Sequence, residues 1–181
     1  MSPLTSAVNQ ALSLLTLGSQ FLIVALFILC LLSVSARKKI FSFAGKKATF
    51  FSFIIALVAT LGSLFYSEIA GFEPCKLCWF ERILMYPESI IFGIALWRKR
   101  DASDYGIALS LIGIFISGYH YILQIGIIPA TSCSVVGYSV SCSKVFSMSF
   151  GYITIPMIAF TAFLLILLLQ ILKKKVQKAN S

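Results

Sequence analysis

Five apolar blocks, at residues 12–35, 49–71, 76–97, 105–128 and 152–172, take up most of this chain. A helix rising about 1.5 Å per residue needs about 20 residues to cross the roughly 30 Å hydrocarbon core of a bilayer, and each block is long enough. Hydrophobic residues make up 59% of the chain and charged residues 12%, against about half and a quarter in soluble domains. The connections are too short to hold a second domain. The expectation is a single all-α integral membrane domain over residues 1–181. The third block is interrupted by Pro87 and Glu88, but a helix from Lys76 to Trp97 still has the length to cross. The first block is expected to be a retained helix and not a signal peptide, because residues 1–11 carry no Lys or Arg.

The basic residues give the topology. Arg37, Lys38, Lys39, Lys46 and Lys47 separate the first two blocks, Arg98, Lys99 and Arg100 separate the third and fourth, and Lys173, Lys174, Lys175 and Lys178 follow the fifth. The approach at 71–75 has no basic residue, and the 129–151 loop has only Lys144. By the positive-inside rule the N-terminus lies outside and the C-terminus in the cytoplasm. The formal charge of +9 is therefore a topology signal, and no aromatic-and-basic motif accompanies it to suggest nucleic acid.

Two cysteine pairs, Cys75 with Cys78 and Cys133 with Cys142, fall in the two internal loops assigned to the exterior, where disulfides persist. Cys133–Cys142 taken alone reads as a structural loop disulfide. Cys75-Lys-Leu-Cys78 does not, since closing so small a ring constrains little chain, and this spacing suits redox exchange. An all-thiolate zinc site is the other alternative. The eight residues between Cys133 and Cys142 exceed usual ligand spacing, so no metal is expected. Cys30, inside the first block, reads as a small apolar residue.

Depth along the helices marks a further set of residues. Arg82 lies about 9 Å and His120 about 12 Å inward from the outer ends of their helices, and Glu68 about 5 Å. Gln124 shares a helix face with His120. Ionisable groups at such depth usually serve a site. Glu68, Arg82, His120 and Gln124 are therefore expected to line a polar-ended pocket below Cys78, suited to an apolar molecule with hydrogen-bonding ends such as a quinone. A helix opening near Lys76 sets Cys78 in its first turn, where the dipole and Arg82 favour a thiolate. Cys78 is thus expected to meet the acceptor and Cys75 to exchange with the second pair. Glu88, near mid-membrane, has no role that the sequence assigns.

At these residues the chain resembles the DsbB/BdbC family of membrane disulfide-bond-formation oxidoreductases. The resemblance rests on Cys75-Lys-Leu-Cys78-Trp79-Phe80-Glu81-Arg82 with Met85-Tyr86-Pro87, on Tyr119-His120-Tyr121-Ile122-Leu123-Gln124 before Cys133, and on Gly151-Tyr152-Ile153-Thr154-Ile155-Pro156-Met157. It spans about 49–172 and implies a four-helix transmembrane bundle, here with one additional N-terminal helix. It implies an enzyme of the bacterial plasma membrane that passes electrons from an extracytoplasmic thioredoxin-fold thiol oxidase (DsbA/BdbD-like) to ubiquinone or menaquinone. By position, Cys133 would form the mixed disulfide with that partner and Cys142 would resolve it. Cys75 and Cys78 would be the quinone-linked pair, with Arg82 and His120 beside the ring. The chain departs from the family in its extra first helix and in its short Cys133–Cys142 loop. Two alternatives remain: a redox protein of the vitamin K epoxide reductase type, and a non-enzymatic membrane protein with structural loop disulfides.

Overall fold

The computed structural model describes residues 2–32, 34–128 and 141–180, without the side chains of 30, 34–39 and 180. Five α-helices carry the fold: α1 (Pro3–Leu32), α2 (Val34–Leu64), α3 (Lys76–Trp97), α4 (Ser103–Gln124) and α5 (Ile155–Asn180). A single π-helical turn, Phe65–Ile69, extends α2. A two-residue hairpin, β1 (Met148–Ser149) with β2 (Ile153–Thr154), precedes α5. Its turn holds Phe150 and Gly151 at positive φ, the combination that closes tight hairpins.

Helices α2 to α5 form a closed ring, each packed on the next and α5 back on α2, while α1 lies outside against α2 and α5. Four of the described helices are long and apolar enough to cross a membrane, at Pro3–Leu29, Ile40–Ile69, Ser103–Gln124 and Ile155–Ala179. The protein is a multi-pass, all-α membrane protein. The remaining helix, α3, carries Lys76, Glu81, Arg82 and Glu88 distributed over its first thirteen residues.

Helix α4 turns small residues inward. Gly106, Ser110, Gly113, Ser117 and His120 recur at three- and four-residue spacing and are all buried, which lets neighbouring backbones approach as they do in membrane bundles. A Cβ on Gly113 would lie 2.5 Å from the Phe163 ring of α5. Two buried polar pairs cross the ring: Ser110 Oγ donates to Glu88 Oε1 at 2.7 Å, and Gln170 Nε2 to Ser52 Oγ at 2.7 Å. Glu88 is thus paired inside the bundle.

The two ends of the bundle differ. At one, Lys173 bonds Asp101 at 2.7 Å and Lys174 bonds Asp104. Burial raises the Asp101 carboxyl, but the hydrogen bonds from Lys173 and Ser103 outweigh it and hold the group at about 2. At the other end Phe72 stacks on Phe146 at 5.0 Å, near both described loop cysteines.

Several boundaries differ from the sequence expectation. Helix α1 begins at Pro3 and not at 12, and the basic segment between the first two blocks is helical from Val34 onward. Lys and Arg are good helix formers, so charge there does not break the helix. Helix α4 stops at Gln124 and not at 128, where Gly126 adopts φ +79°. Residues 152–154 belong to the hairpin and not to α5. Only α3 spans the residues expected.

Candidate active site

Pro74 and Cys75 shape the start of α3. Cys75 is extended (φ −74°, ψ 174°) and caps the helix, its sulfur accepting from the Cys78 N–H at 3.4 Å. A capping side chain takes up an N–H that the first turn leaves unpaired. The spacing that makes Cys75 the cap also brings Cys78 Sγ to 3.0 Å from Cys75 Sγ. Both are free thiols, one short movement from the roughly 2.05 Å of a disulfide.

The first difference from expectation concerns the thiolate. The helix N-terminus and its neighbours favour it on Cys75, not Cys78. Cys75 precedes the helix, and its thiol is lowered from the ordinary 9.0 to about 4, first by the hydrogen bond from Cys78, against burial, and then by His120. The capping sulfur of Cys75 receives the N–H that the first turn leaves unpaired.

His120 reaches Cys75 from α4. Its Nε2 is 3.6 Å from Cys75 Sγ, and its Nδ1 is 2.9 Å from Glu81 Oε1 on α3. His120 is 2% exposed and Glu81 7%, so the chain thiol–imidazole–carboxylate is buried throughout. With Nδ1–H donated to the carboxylate, Nε2 faces the sulfur, taking the thiol proton and then donating it as a hydrogen bond to the thiolate. Cys75, Cys78 and His120 offer donor atoms within 4.8 Å of one another. Two thiolates on a tetrahedral zinc, at bonds of about 2.3 Å, would stand about 3.8 Å apart. The observed 3.0 Å fits disulfide closure better.

The two sulfurs of the motif face different surroundings. Cys75 belongs to a buried cluster with Leu123 and Cys142. Cys142 is 1% exposed and is disulfide-bonded. Cys78 packs against the same cluster but, unlike Cys75, also opens onto a cavity of about 100 Å³ walled by α2, α3 and α5, with Leu12 of α1. The walls are mostly apolar, including Val58, Met85, Ile158 and Phe163, with Ser63, Tyr66, Glu73, Glu81, Arg82 and Tyr86 as the polar lining. Arg82 donates from Nε to Ser63 Oγ at 3.0 Å and from Nη2 to the Ser63 carbonyl at 3.1 Å, with its guanidinium 5.3 Å from the Trp79 ring.

The residues expected at one pocket are separated. Arg82 lines the cavity. His120 does not, because α4 contributes nothing to its wall, and the imidazole instead points at Cys75 and Glu81. Gln124, one turn further on, donates to the Lys144 carbonyl at 3.0 Å and so ties α4 to the segment that carries Cys142. Glu68 is exposed on the π-helical turn, where it accepts from Ser67 Oγ at 3.0 Å. Equal depth puts residues in one layer but does not say which way each helix face turns. Cys133 lies outside the described residues, as does the side chain of Cys30. Glu81 was missed as a site residue, although its charge inside a span was a readable signal. Like Cys78, it touches both halves of the site, facing the cavity and bonding His120.

Comparison with known proteins gives the family. The family described as disulfide bond formation protein DsbB matches residues 45–172. Disulfide bond formation protein C of Bacillus subtilis (strain 168) is 43% identical over 129 residues, 68% of this chain and 89% of that protein. A probable disulfide formation protein of Oceanobacillus iheyensis is 42% identical over 119 residues, covering 65% and 81% of the two chains. The SPbeta prophage-derived disulfide bond formation protein B of Bacillus subtilis is 40% identical over 132 residues, covering 71% and 88%. No solved structure matches. With its two cysteine sites on a helical membrane bundle, the chain belongs to the DsbB family and is a membrane disulfide oxidoreductase.

Proposed function

We propose that the protein is a quinone-dependent thiol oxidase that regenerates the disulfide of an extracytoplasmic thioredoxin-fold oxidoreductase. The observation that carries this reading is the position of the motif: it packs at Cys142, with Cys75 buried there, and Cys78 also lines an apolar cavity that Cys75 does not. The same motif can therefore receive electrons on one side and release them on the other.

A bound quinone supplies a two-electron, two-proton acceptor. The cavity suits it, with apolar walls for the ring and tail, and Arg82 beside Cys78 with N–H donors beyond the two that Ser63 accepts. Arg82 would hold a ring oxygen, and Tyr86, whose hydroxyl donates to Ser63 Oγ at 3.2 Å, would brace that wall.

The residues of the chain then act in order. A partner thiolate attacks the Cys133–Cys142 disulfide at Cys133, forming a mixed disulfide and releasing the Cys142 thiolate. The second partner thiol resolves it, leaving the partner oxidised and Cys133 and Cys142 reduced. Those thiols reduce Cys75–Cys78 by the same exchange: the Cys142 thiolate attacks Cys75 and releases Cys78, and Cys133 then attacks Cys142, releasing Cys75 and closing Cys133–Cys142. His120 and Glu81 stabilise that departing thiolate, which makes the Cys75–Cys78 disulfide the more oxidising one. Cys78 delivers the electron pair to the cavity, and Cys75 closes the disulfide behind it. Glu81 connects the His120 proton to the cavity wall.

Orientation follows from charge. The end with Lys173 and Lys174 is the cytoplasmic one, and the cysteine end faces outside a bacterial plasma membrane.

Mixed-disulfide trapping tests the reading. A reduced partner that lacks its second cysteine should accumulate as a covalent complex with Cys133 of the parent protein, because the Cys142 thiolate leaves and nothing resolves the mixed disulfide. Cys133→Ser should give none and should abolish partner oxidation, while Cys75–Cys78 still forms. Equal multi-turnover oxidation by Cys133→Ser, Cys75→Ser and the parent protein would remove the relay.

A further inference from the structure

Helix α1 lies wholly outside the matched region at 45–172, yet it is bonded into the active end. Asn9 alone bridges three parts of the molecule. Its Oδ1 accepts from Tyr66 OH on the π-helical turn at 3.0 Å and from Ser147 Oγ at 2.6 Å, and its Nδ2 donates to Ser149 Oγ in the hairpin at 3.1 Å. A second tether sits three turns further along: Gln20 Nε2 donates to Thr161 Oγ1 of α5 at 3.0 Å, and its Oε1 accepts from Tyr152 OH at 2.7 Å. Between the two tethers, Leu12 reaches the cavity wall. It does so against Gly62 of α2, where a Cβ would come within 3.0 Å of Leu12 Cδ1. Most of the remaining α1 surface is apolar and exposed, with Leu15 at 61% and Phe21 at 67%, as a lipid-facing helix requires.

A helix held only by apolar contacts has little to fix its rotation in lipid, because lipid tails are as apolar as its side chains. Hydrogen bonds at Asn9 and Gln20 fix which face turns inward, and Leu12 is on that face. Resting on the quinone reading, we propose that α1 is a wall of the quinone site, with Leu12 the specificity-determining contact to the bound ring or tail and Asn9 the positioning residue that holds it there. Helix α1 packs on α2 and α5, two of the three helices that form the cavity, so it stands between the cavity and lipid on that side.

Site-specific protection tests this without relying on turnover. Single cysteines replace Leu12, Ile158 (a cavity residue of α5) or Leu15 (lipid-facing) in oxidised full-length protein carrying Cys30→Ser. Maleimide labelling is followed by peptide mass mapping in nanodiscs, with and without decylubiquinone or a menaquinone of four isoprene units. Quinone should slow labelling of L12C and I158C at least about fivefold and leave L15C unchanged, as expected for direct occlusion of one site. Protection of I158C without L12C overturns the proposal. If no position is protected although the parent protein reduces the same quinone, the proposal also falls. If the parent protein reduces no quinone, it is the underlying functional reading that fails. Asn9→Ala provides a second arm in a chain that keeps Leu12: it should raise the KM for quinone about five- to tenfold while single-turnover thiol exchange stays as in the parent. An unchanged KM contradicts the role of α1.

Discussion

His120 Nδ1 stands 2.9 Å from Glu81 Oε1 in a site from which water is largely excluded. A buried carboxylate that orients an imidazole toward a thiol is the arrangement that activates nucleophilic cysteines. Here the thiol is also a leaving group, so the same pair serves both directions of disulfide exchange.

Glu81→Gln keeps the shape and removes the charge. It should lower quinone-coupled turnover about 10- to 100-fold, the effect of losing a charged hydrogen bond of about 1.5–3 kcal/mol. His120→Ala should act at the same Cys75 step and leave the KM for quinone unchanged, since His120 lies off the cavity wall. Stopped-flow exchange and steady-state kinetics separate the two. A His120→Ala effect confined to quinone KM would return His120 to the cavity and contradict this geometry.

Arg82→Ala should raise quinone KM by about 10-fold or more, with Arg82→Lys between it and the parent, because Lys keeps the charge but loses the planar fork that also grips Ser63. The measurement is turnover against quinone concentration at a fixed supply of reduced thiol donor. Equal KM values in all three proteins would remove Arg82 from the site.

The Cys75 thiol, lowered to about 4 by Cys78 and His120, gives a pH signature. A depressed folded-state value means that the thiolate stabilises the reduced fold fully above the ordinary 9.0. That contribution declines as pH falls and is lost on passing about 4. In the reduced protein, the thiolate ultraviolet absorbance that Cys75→Ser removes should therefore persist well into the acid range. Its loss near the usual thiol value of about 8.5 would contradict the assignment.

The fold was legible where one physical signal dominated. Apolar length located the helices, and Pro74 followed by Cys75 marked the start of α3. The helical path through the basic segment was not legible, because Lys and Arg allow helix as readily as they mark a membrane boundary. At the site, depth located Arg82 but could not orient His120, Gln124 or Glu68 around their helix axes. His120 turns to α3 because the small-residue face of α4 lets it approach. The tethers of Asn9 join residues more than fifty positions apart, and no local pattern announces such contacts.

Close packing at α4 gives a stability prediction. Gly113→Ala sets a Cβ 2.5 Å from the Phe163 ring, whereas Gly118→Ala meets Phe160 at an ordinary 3.5 Å. The first should destabilise the bundle by about 1–3 kcal/mol through overpacking, and the second should be close to neutral. Thermal unfolding in detergent compares them, and equal Tm values would argue against this approach of α4 to α5.

The central claim is that electrons entering at the outer cysteines leave through Cys78 into the cavity. Its most direct measurement is the anaerobic stoichiometry of the purified protein with reduced thioredoxin-fold partner and quinone. One hydroquinone should form per partner disulfide, and Cys78→Ser should form none while a single round of exchange at the outer pair continues. Partner oxidation that proceeds without quinone consumption, or hydroquinone formation undiminished in Cys78→Ser, would contradict the account.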